Sequence, residues 1–233
     1  RAPEGHGSSR VDGRDSRGAW HDFKPKLGSG EIEFVHAGIR FHLPLPGRHN
    51  AENALQAAIV CSRLGYAWPD ISAALSGFKG IQRRLELVAR NPVCVYDDYA
   101  HNPAKISAAW KTLSPFHPRL LAAWRPHGFG PLKNMMAGLV ETFKAVCRPG
   151  TDRIFILPVY YAGGTADQSV KSETLVEQLL AHGLAAELVR DYDALYARFA
   201  ALARPGDAVL VMGARDPDLP FFARRLARDL HPG

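Results

Sequence analysis

The chain has 233 residues, of which 46% are hydrophobic and 22% are charged, as expected of a globular protein with a sizeable core and one or two domains. Its 29 basic and 23 acidic residues leave a net charge of +6, which suits an anionic ligand. The basic residues are scattered, with no run of five or more, so neither a nucleic acid nor a membrane is expected as a partner.

The cysteines and the hydropathy pattern narrow the class of protein further. The three cysteines are far apart in apolar patterns and form no Cys-x-x-Cys pair, which argues against a zinc site and predicts buried thiols in the reducing cytoplasm. No apolar run reaches 18 residues, so no transmembrane helix is expected. Residues 1–18 are polar and rich in Gly, Ser and Arg, and are expected to be disordered or the cut edge of a longer protein.

The first third of the chain predicts a β-hairpin followed by two helices. Residues 31–34 and 39–43 are predicted as strands joined at Ala37-Gly38. A helix follows, with Asn50 as its predicted N-cap and Gly65 at its end, and a second helix covers 69–75.

From about residue 92 the pattern changes to regular alternation of strands and helices. The predicted strands are 93–96, 120–124, 154–157, 186–189 and 208–212, and the predicted helices are 104–113, 132–147, 171–182, 192–203 and 218–229. Such alternation predicts an α/β fold, a Rossmann-like, mostly parallel sheet with helices on both faces and right-handed crossovers. The boundary between the two parts lies near residues 77–91.

Four polar or Gly-rich loops each follow a predicted strand, at residues 97–103, 125–130, 160–165 and 213–217. Because parallel strands end at one edge of a sheet, these loops are expected to form a ligand crevice. The first contains the adjacent carboxylates Asp97 and Asp98, whose mutual repulsion suggests use by something outside the core. The alternative is that Asp98 merely caps the next helix.

An amide pair lies upstream. Asn50 and Asn53 are one helical turn apart, and an amide has both the donor and the acceptor needed to read a purine edge. The alternative for Asn50 is that its side chain serves only as the N-cap of the helix.

Three motifs taken together resemble the Mur ligase family, closest to its alanine-adding and murein-tripeptide branches. They are Gly47-Arg48-His49-Asn50 with Asn53, then Gln82-Arg83-Arg84-Leu85-Glu86, then Asp97-Asp98-Tyr99-Ala100-His101-Asn102-Pro103. The resemblance covers about residues 30–230. It implies that residues 1–78 are the end of a central ATPase domain and 79–233 the C-terminal Rossmann-like domain.

The resemblance also implies residue roles in an ATP-dependent ligation through an acyl phosphate. His49, Asn50 and Asn53 would contact adenine, and Asp98 would accept hydrogen bonds from the ribose. Arg84 would reach the phosphates as a catalytic residue, since a guanidinium forks onto phosphate oxygens. ATP would come with Mg²⁺, whose ligands are expected upstream of this chain, with no metal ligand within it.

The resemblance further implies that Tyr99 and His101 line the junction with the incoming amino acid or peptide, His101 being the second catalytic candidate. The alternative for His101 is a satisfied histidine at a helix start.

Two departures from the family pattern bear on activity and substrate. The sequence contains no Gly-Lys-Ser/Thr phosphate-binding loop, so the chain alone is expected to be inactive. The alanine-adding branch has arginines after the histidine at 127, but here Gly128-Phe129-Gly130-Pro131 follows His127. Arg125, Lys133 and Arg215 are the remaining candidates to bind the substrate carboxylate, and His127 is a further substrate-binding candidate.

The predicted function is therefore part of a cytoplasmic, ATP-dependent ligase that adds an amino acid or peptide to a UDP-N-acetylmuramate-type carboxylate in peptidoglycan precursor synthesis. One alternative is a divergent ligase acting on a different acid. A second is a non-catalytic nucleotide- or anion-binding module, which the missing phosphate loop favours. A dehydrogenase fits the fold but lacks Gly-x-Gly-x-x-Gly after the first strand of the sheet.

Overall fold

The structure is a computed structural model that describes residues 23–28, 30–161, 163 and 168–230. The expectation for residues 1–18 lies outside the described residues, as do positions 162, 164 and 165 of the loop at 160–165. Within the described residues, none of the helices has the length and apolarity that a membrane crossing requires.

The first unit is a small antiparallel sheet covered by two helices. It comprises β1 (Lys26–Leu27), β2 (Ile32–His36), β3 (Ile39–Leu43), α1 (Arg48–Arg63) and α2 (Trp68–Ser76). The predicted hairpin is confirmed, and its turn has Ala37 and Gly38 at φ 50° and 75°, the left-handed backbone that tight hairpins favour. Phe34 and Phe41 stack across the hairpin at 4.9 Å and pack against the buried face of α1.

The predicted N-cap at Asn50 is wrong. Helix α1 begins at Arg48, and Gly47 occupies the N-cap position with φ 95°, a conformation that favours glycine. The Asn50 side chain instead donates from Nδ2 to the carbonyl oxygen of Pro46 at 2.7 Å. The amide therefore holds the chain that enters the helix.

The second unit is a six-stranded sheet with helices on both faces, which confirms the predicted fold class. Its elements are β4 (Glu86–Ala89), β5 (Cys94–Asp98), α3 (Pro103–Leu113), β6 (Leu120–Arg125), α4 (Phe129–Val146), β7 (Arg153–Ile156), α5 (Ser172–Ala181), β8 (Ala186–Leu188), α6 (Tyr192–Leu202), β9 (Ala208–Gly213) and α7 (Leu219–Asp229). The strand order is β4-β5-β9-β6-β7-β8, and all neighbours are parallel except β4 and β5. Edge strand β4 was not predicted, since its four residues are half-buried and lie in the presumed boundary.

Alternation along the central strands builds the two sides of the core. Tyr96, Trp124 and Leu210 face the side covered by α3, α4 and α5. Their chain neighbours Val95, Ala123 and Val209 belong to the opposite side, covered by α6 and α7. Strands that are buried on both faces have continuous apolar sequences, and the sequence therefore predicts them well.

Sheet order places the predicted loops together. Strand β9 lies between β5 and β6, with Asp98 opposite Met212 and Arg125 opposite Gly213 in register. The chain segments that leave these three strands therefore emerge side by side at the carboxyl edge of the sheet, where open α/β sheets bind ligands.

Candidate active site

A cavity of about 660 Å³ lies where the first unit meets the six-stranded sheet. Helix α1, the connecting segment 77–85, the end of β5 and helix α3 form its walls. Its polar lining comprises His49, Asn50, Asn53, Arg84, Asp98 and Lys105. Apolar side chains, among them Leu45, Leu75, Phe78 and Ile81, supply the remainder. This combination of apolar walls with a few convergent polar groups is typical of a small-molecule site.

The α1 side of the cavity is open to a ligand. His49 and Asn53 are exposed, and Asn50 is half-buried behind them. Partial desolvation lowers the pKa of His49 against the opposing effect of the Asp98 charge. A neutral imidazole and two amides can donate and accept hydrogen bonds without imposing a charge, as recognition of a heterocycle requires.

Two adjacent arginines in the connecting segment have different surroundings. Arg84 is exposed and lines the cavity. Arg83 is turned inward and donates to the carbonyl oxygens of Gly213 at 2.6 Å and Ala214 at 3.0 Å. The backbone makes this possible because Arg83 and Leu85, on either side of Arg84, have φ of 59° and 49°, in the left-handed region.

The two aspartates at the end of β5 also have different surroundings. Asp97 is buried, and desolvation raises its pKa to about 6 although the Arg83 guanidinium, 3.4 Å away, opposes that shift. Asp98 lines the cavity and accepts a 2.6 Å hydrogen bond from the backbone N–H of Leu85. Desolvation raises the pKa of Asp98 too, against its backbone hydrogen bonds.

The reading of Asp98 as a helix cap is wrong. Asn102 caps α3 by accepting from the backbone N–H of Lys105 at 3.0 Å, and Pro103 occupies the first turn as predicted. The Asp98 carboxylate is therefore held at the cavity wall by the connecting segment and not by α3.

A second group of polar and aromatic side chains lies beyond Tyr99, over the ends of β6 and β9. Both guanidinium groups of the connecting segment lie over the Tyr99 ring, at 5.1 Å for Arg83 and 5.8 Å for Arg84. His101 follows, with its ring 5.6 Å from Tyr99 and 5.1 Å from His127. The structure thus places Asn50, Arg84 and Asp98 in the cavity and His101 in this neighbouring crevice.

The crevice is held together by an arginine–carboxylate pair. Arg125 donates from Nη1 to Asp216 at 2.5 Å, and the Tyr192 hydroxyl donates to the same carboxylate oxygen at 2.5 Å. The Arg125 guanidinium also lies over the rings of Tyr160 and Tyr192, at 5.5 Å and 5.3 Å. Two buried nitrogens of this crevice, Nε of Arg125 and Nδ1 of His127, have no hydrogen-bond partner among the described residues.

The remaining predicted substrate residues are both exposed. Arg215 extends from the loop after β9, and its charge contributes to lowering the pKa of His127, after desolvation and His101. Lys133 lies on α4.

Sequence reasoning missed Arg83, Lys105 and Asp216. A pattern of residue types does not show which of two adjacent arginines turns inward. Asp216 lies within the loop at 213–217, and a carboxylate in a predicted ligand loop was the one sequence signal that could have identified a site residue. In the described part of the chain, no group of three His, Cys, Asp or Glu side chains is arranged to hold a metal ion.

The fold and the cavity between the two units define the class of protein. It is an α/β protein with a nucleotide-sized site at the carboxyl edge of a mostly parallel sheet. Residues 83–215 match the family described as Mur ligase, glutamate ligase domain, and the chain belongs to the Mur ligase family. The UDP-N-acetylmuramate–L-alanine ligase of Rhizobium meliloti (strain 1021) is 36% identical over 191 residues, which are 81% of this chain and 39% of that protein. The ligase of the same name from Dinoroseobacter shibae is 39% identical over 175 residues, 74% of this chain and 37% of that protein. The chain spans about two fifths of the length of the curated relatives it matches.

Solved structures share the fold. The UDP-N-acetylmuramate-alanine ligase MurC of Thermotoga maritima superposes with a TM-score of 0.68 at 21% identity, covering 87% of this chain and 44% of that one. Folylpolyglutamate synthase of Mycobacterium tuberculosis, solved with ADP and AMPPCP, gives a TM-score of 0.59 at 20% identity and covers 88% of this chain and 47% of that one.

Proposed function

We propose that this chain is the C-terminal portion of an ATP-dependent ligase that joins an amino acid to a UDP-N-acetylmuramate-type carboxylate in peptidoglycan precursor synthesis. Residues 1–78 would be the end of the central ATPase domain and 79–233 the C-terminal domain. The observation that carries the proposal is the cavity between the two units, because it gathers Asn50, Asn53, Arg84 and Asp98 from three separate motifs.

The polar groups of the cavity fit the parts of ATP. The Asn53 and Asn50 amides beside His49 suit the adenine edge, and the Asp98 carboxylate suits the ribose hydroxyls. Arg84 and Lys105 supply positive charge for the phosphates, on which charge builds up during phosphoryl transfer. The magnesium ion that accompanies ATP would take its protein ligands from outside this chain.

The reaction would proceed in two steps. A carboxylate oxygen of the UDP-sugar attacks the γ-phosphorus of ATP, which forms an acyl phosphate and releases ADP. The amine nitrogen then attacks the acyl carbon, the carbon–oxygen bond to phosphate breaks, and the ammonium proton of the adduct passes to a base. The crevice at His101 and His127 adjoins the cavity through Tyr99, so the amine would approach from that side.

A ligase of this kind would work in the cytoplasm, where ATP is available. The free thiols of Cys61, Cys94 and Cys147 suit such a reducing compartment.

Binding of ADP to the 233-residue chain, followed by calorimetry, tests the cavity. We expect saturable binding that Asn53→Ala weakens and Gln56→Ala leaves unchanged. Both are exposed amides on α1, but only Asn53 lines the cavity. Absence of ADP binding, or an equal effect of both substitutions, would contradict the nucleotide assignment.

Catalysis is tested on the protein encoded by the complete reading frame. We expect formation of an amide product and ADP in equal amounts when UDP-N-acetylmuramate, L-alanine and ATP are supplied. If ADP binds to the chain but the complete protein forms no amide with any acid, the chain is a nucleotide-binding module and the ligase assignment is wrong.

A further inference from the structure

A second pocket lies beside the cavity, between the first unit and strand β4, and we call it the β4 pocket. Its volume is about 430 Å³, which is large enough for a small molecule. The first unit contributes Gly30 and residues 44–46, the connecting segment contributes residues 79–82, 84 and 85, and the second unit contributes Glu86, Leu87 and Arg90. The polar residues of α1 and Asp98, which line the cavity, do not line the β4 pocket. A ligand of the β4 pocket would therefore meet a different set of polar groups.

Three basic side chains line the β4 pocket. They are Lys79, Arg84 and Arg90, and all three are exposed. In the part of the chain that the structure describes, no carboxylate forms an ion pair with any of them. Because like charges around one volume repel one another, the pocket favours a ligand that carries negative charge.

The acidic residue of the lining, Glu86, already has partners outside the pocket. Its Oε2 atom accepts a hydrogen bond from the backbone N–H of Arg83 at 2.9 Å, and its Oε1 atom lies 3.8 Å from Nη2 of Arg224. Even with Glu86 counted in full, three cations against one carboxylate leave the lining with a net charge of +2. The pocket therefore suits an anion with more than one negative charge.

Arg90 is positioned in the pocket by its contact with Gly30. A Cβ atom at Gly30 would collide with Nη2 of Arg90 and would lie 3.1 Å from its Cζ atom, so the guanidinium occupies the space that the missing side chain leaves. Arg90 directly follows β4 in the second unit, whereas Gly30 precedes β2 in the first. The contact joins the two units and gives the charge of Arg90 a defined place.

The types of cation indicate the class of ligand. A guanidinium donates two parallel hydrogen bonds to the oxygens of a phosphate group, and a lysine ammonium adds a point charge. A phosphate group carries about two negative charges at neutral pH. It would balance the net charge of the lining, whereas a single carboxylate would leave half of that charge without a partner.

We propose that the β4 pocket binds a phosphate or diphosphate group of a small molecule, at a site separate from the cavity. Arg84 lines both volumes, but Gly30, Lys79 and Arg90 line only the β4 pocket. These three residues therefore distinguish the two sites, and the proposal does not depend on the proposed function.

Calorimetric titration of the 233-residue chain with inorganic pyrophosphate tests the proposal. We expect saturable binding that Arg90→Gln weakens roughly tenfold, the value of one lost charge-assisted hydrogen bond. Gly30→Ala should also weaken binding, because the added methyl group displaces the Arg90 guanidinium while the charge of the chain stays the same. Arg63→Gln removes an exposed arginine from the last turn of α1 and is the matched control, which should bind pyrophosphate as the wild type does.

Absence of saturable binding to the wild type would overturn the proposal. Equal weakening by Arg90→Gln and Arg63→Gln would also overturn it, since it would indicate attraction to the overall charge of +6. Weakening by Lys105→Gln but not by Arg90→Gln would place the anion in the cavity, with the same consequence. Failure of the nucleotide assignment is read separately, as the absence of ADP binding.

Discussion

The cavity and the crevice are neighbours, but their polar groups are used differently. In the cavity, the exposed side chains of His49, Asn53 and Arg84 face empty space. In the crevice, most polar groups bind one another, as in the contacts of Asp216 with Arg125 and Tyr192. The cavity therefore has side chains available to a ligand, whereas the contacts of Asp216 in the crevice hold a loop in place. Substitutions in the first should affect affinity, and substitutions in the second should affect stability.

The largest expected effect is on stability, from Asp216→Ala. This substitution leaves the Arg125 charge without its partner in a site where Asp216 is only 2% exposed. Removal of one member of such a pair costs about 3 kcal/mol of unfolding free energy. Urea denaturation measures this loss, with Glu141→Ala as the control, because its pair with Lys144 is exposed. A loss below about 1 kcal/mol would mean that the crevice is not held by this contact.

The next effect separates the two adjacent arginines. Arg84→Ala should weaken ADP binding roughly tenfold or more, the value of a lost charge-assisted hydrogen bond, with little change in unfolding free energy. Arg83→Ala should do the reverse, because it leaves the carbonyl oxygens of Gly213 and Ala214 without their donor. Calorimetry with ADP measures the affinity of both variants, and urea denaturation measures their unfolding free energy. Equal loss of affinity in the two variants would contradict the division between cavity and crevice.

A smaller effect is a pH dependence that arises from Asp97. Burial raises its pKa from the ordinary 3.8 to about 6, so the folded chain holds this proton more tightly than the unfolded chain. The contribution to stability is therefore complete below about pH 4 and is lost as the pH rises through 6. The unfolding free energy of the wild type, relative to Asp97→Asn, should fall between pH 4.5 and pH 7. A difference that is flat or rises with pH would contradict this origin.

The smallest expected effect is on His127, whose ring lies 5.1 Å from that of His101 in the crevice. Desolvation lowers the pKa of His127, and the charges of His101 and Arg215 lower it further. Arg215→Gln should therefore raise the pKa of His127, measured by NMR titration of the imidazole. His117, which bonds the carbonyl oxygen of Gly206, is the internal control and should not change. An unchanged His127 would mean that Arg215 lies too far away to affect it.

The alternation of strands and helices was predictable because each element depends on the residues of its own segment. Apolar runs such as 120–124 and 208–212 predict buried strands, and the side-by-side loops follow once β9 lies between β5 and β6. The roles assigned to His101, His127 and Lys133 stay predictions.

The errors came where the backbone leaves its ordinary regions. The N-cap of α1 is Gly47, three residues before the predicted Asn50, and Arg83 has a positive φ that no residue pattern marks. Contacts between distant segments, such as Arg83 with Gly213, depend on the finished fold and are not visible in a local pattern.

The inward turn of Arg83 has a consequence for motion between the two units. From residue 83 onward the connecting segment is tied to the sheet, by Arg83 to Gly213 and Ala214, and by the Arg83 carbonyl oxygen to the Tyr99 N–H at 2.8 Å. A hinge would therefore have to lie at residues 77–82, which include Gly77 and Gly80. Opening of the cavity would then carry α1 and α2 away as a body, while Arg84 and Asp98 stay with the sheet and keep their separation.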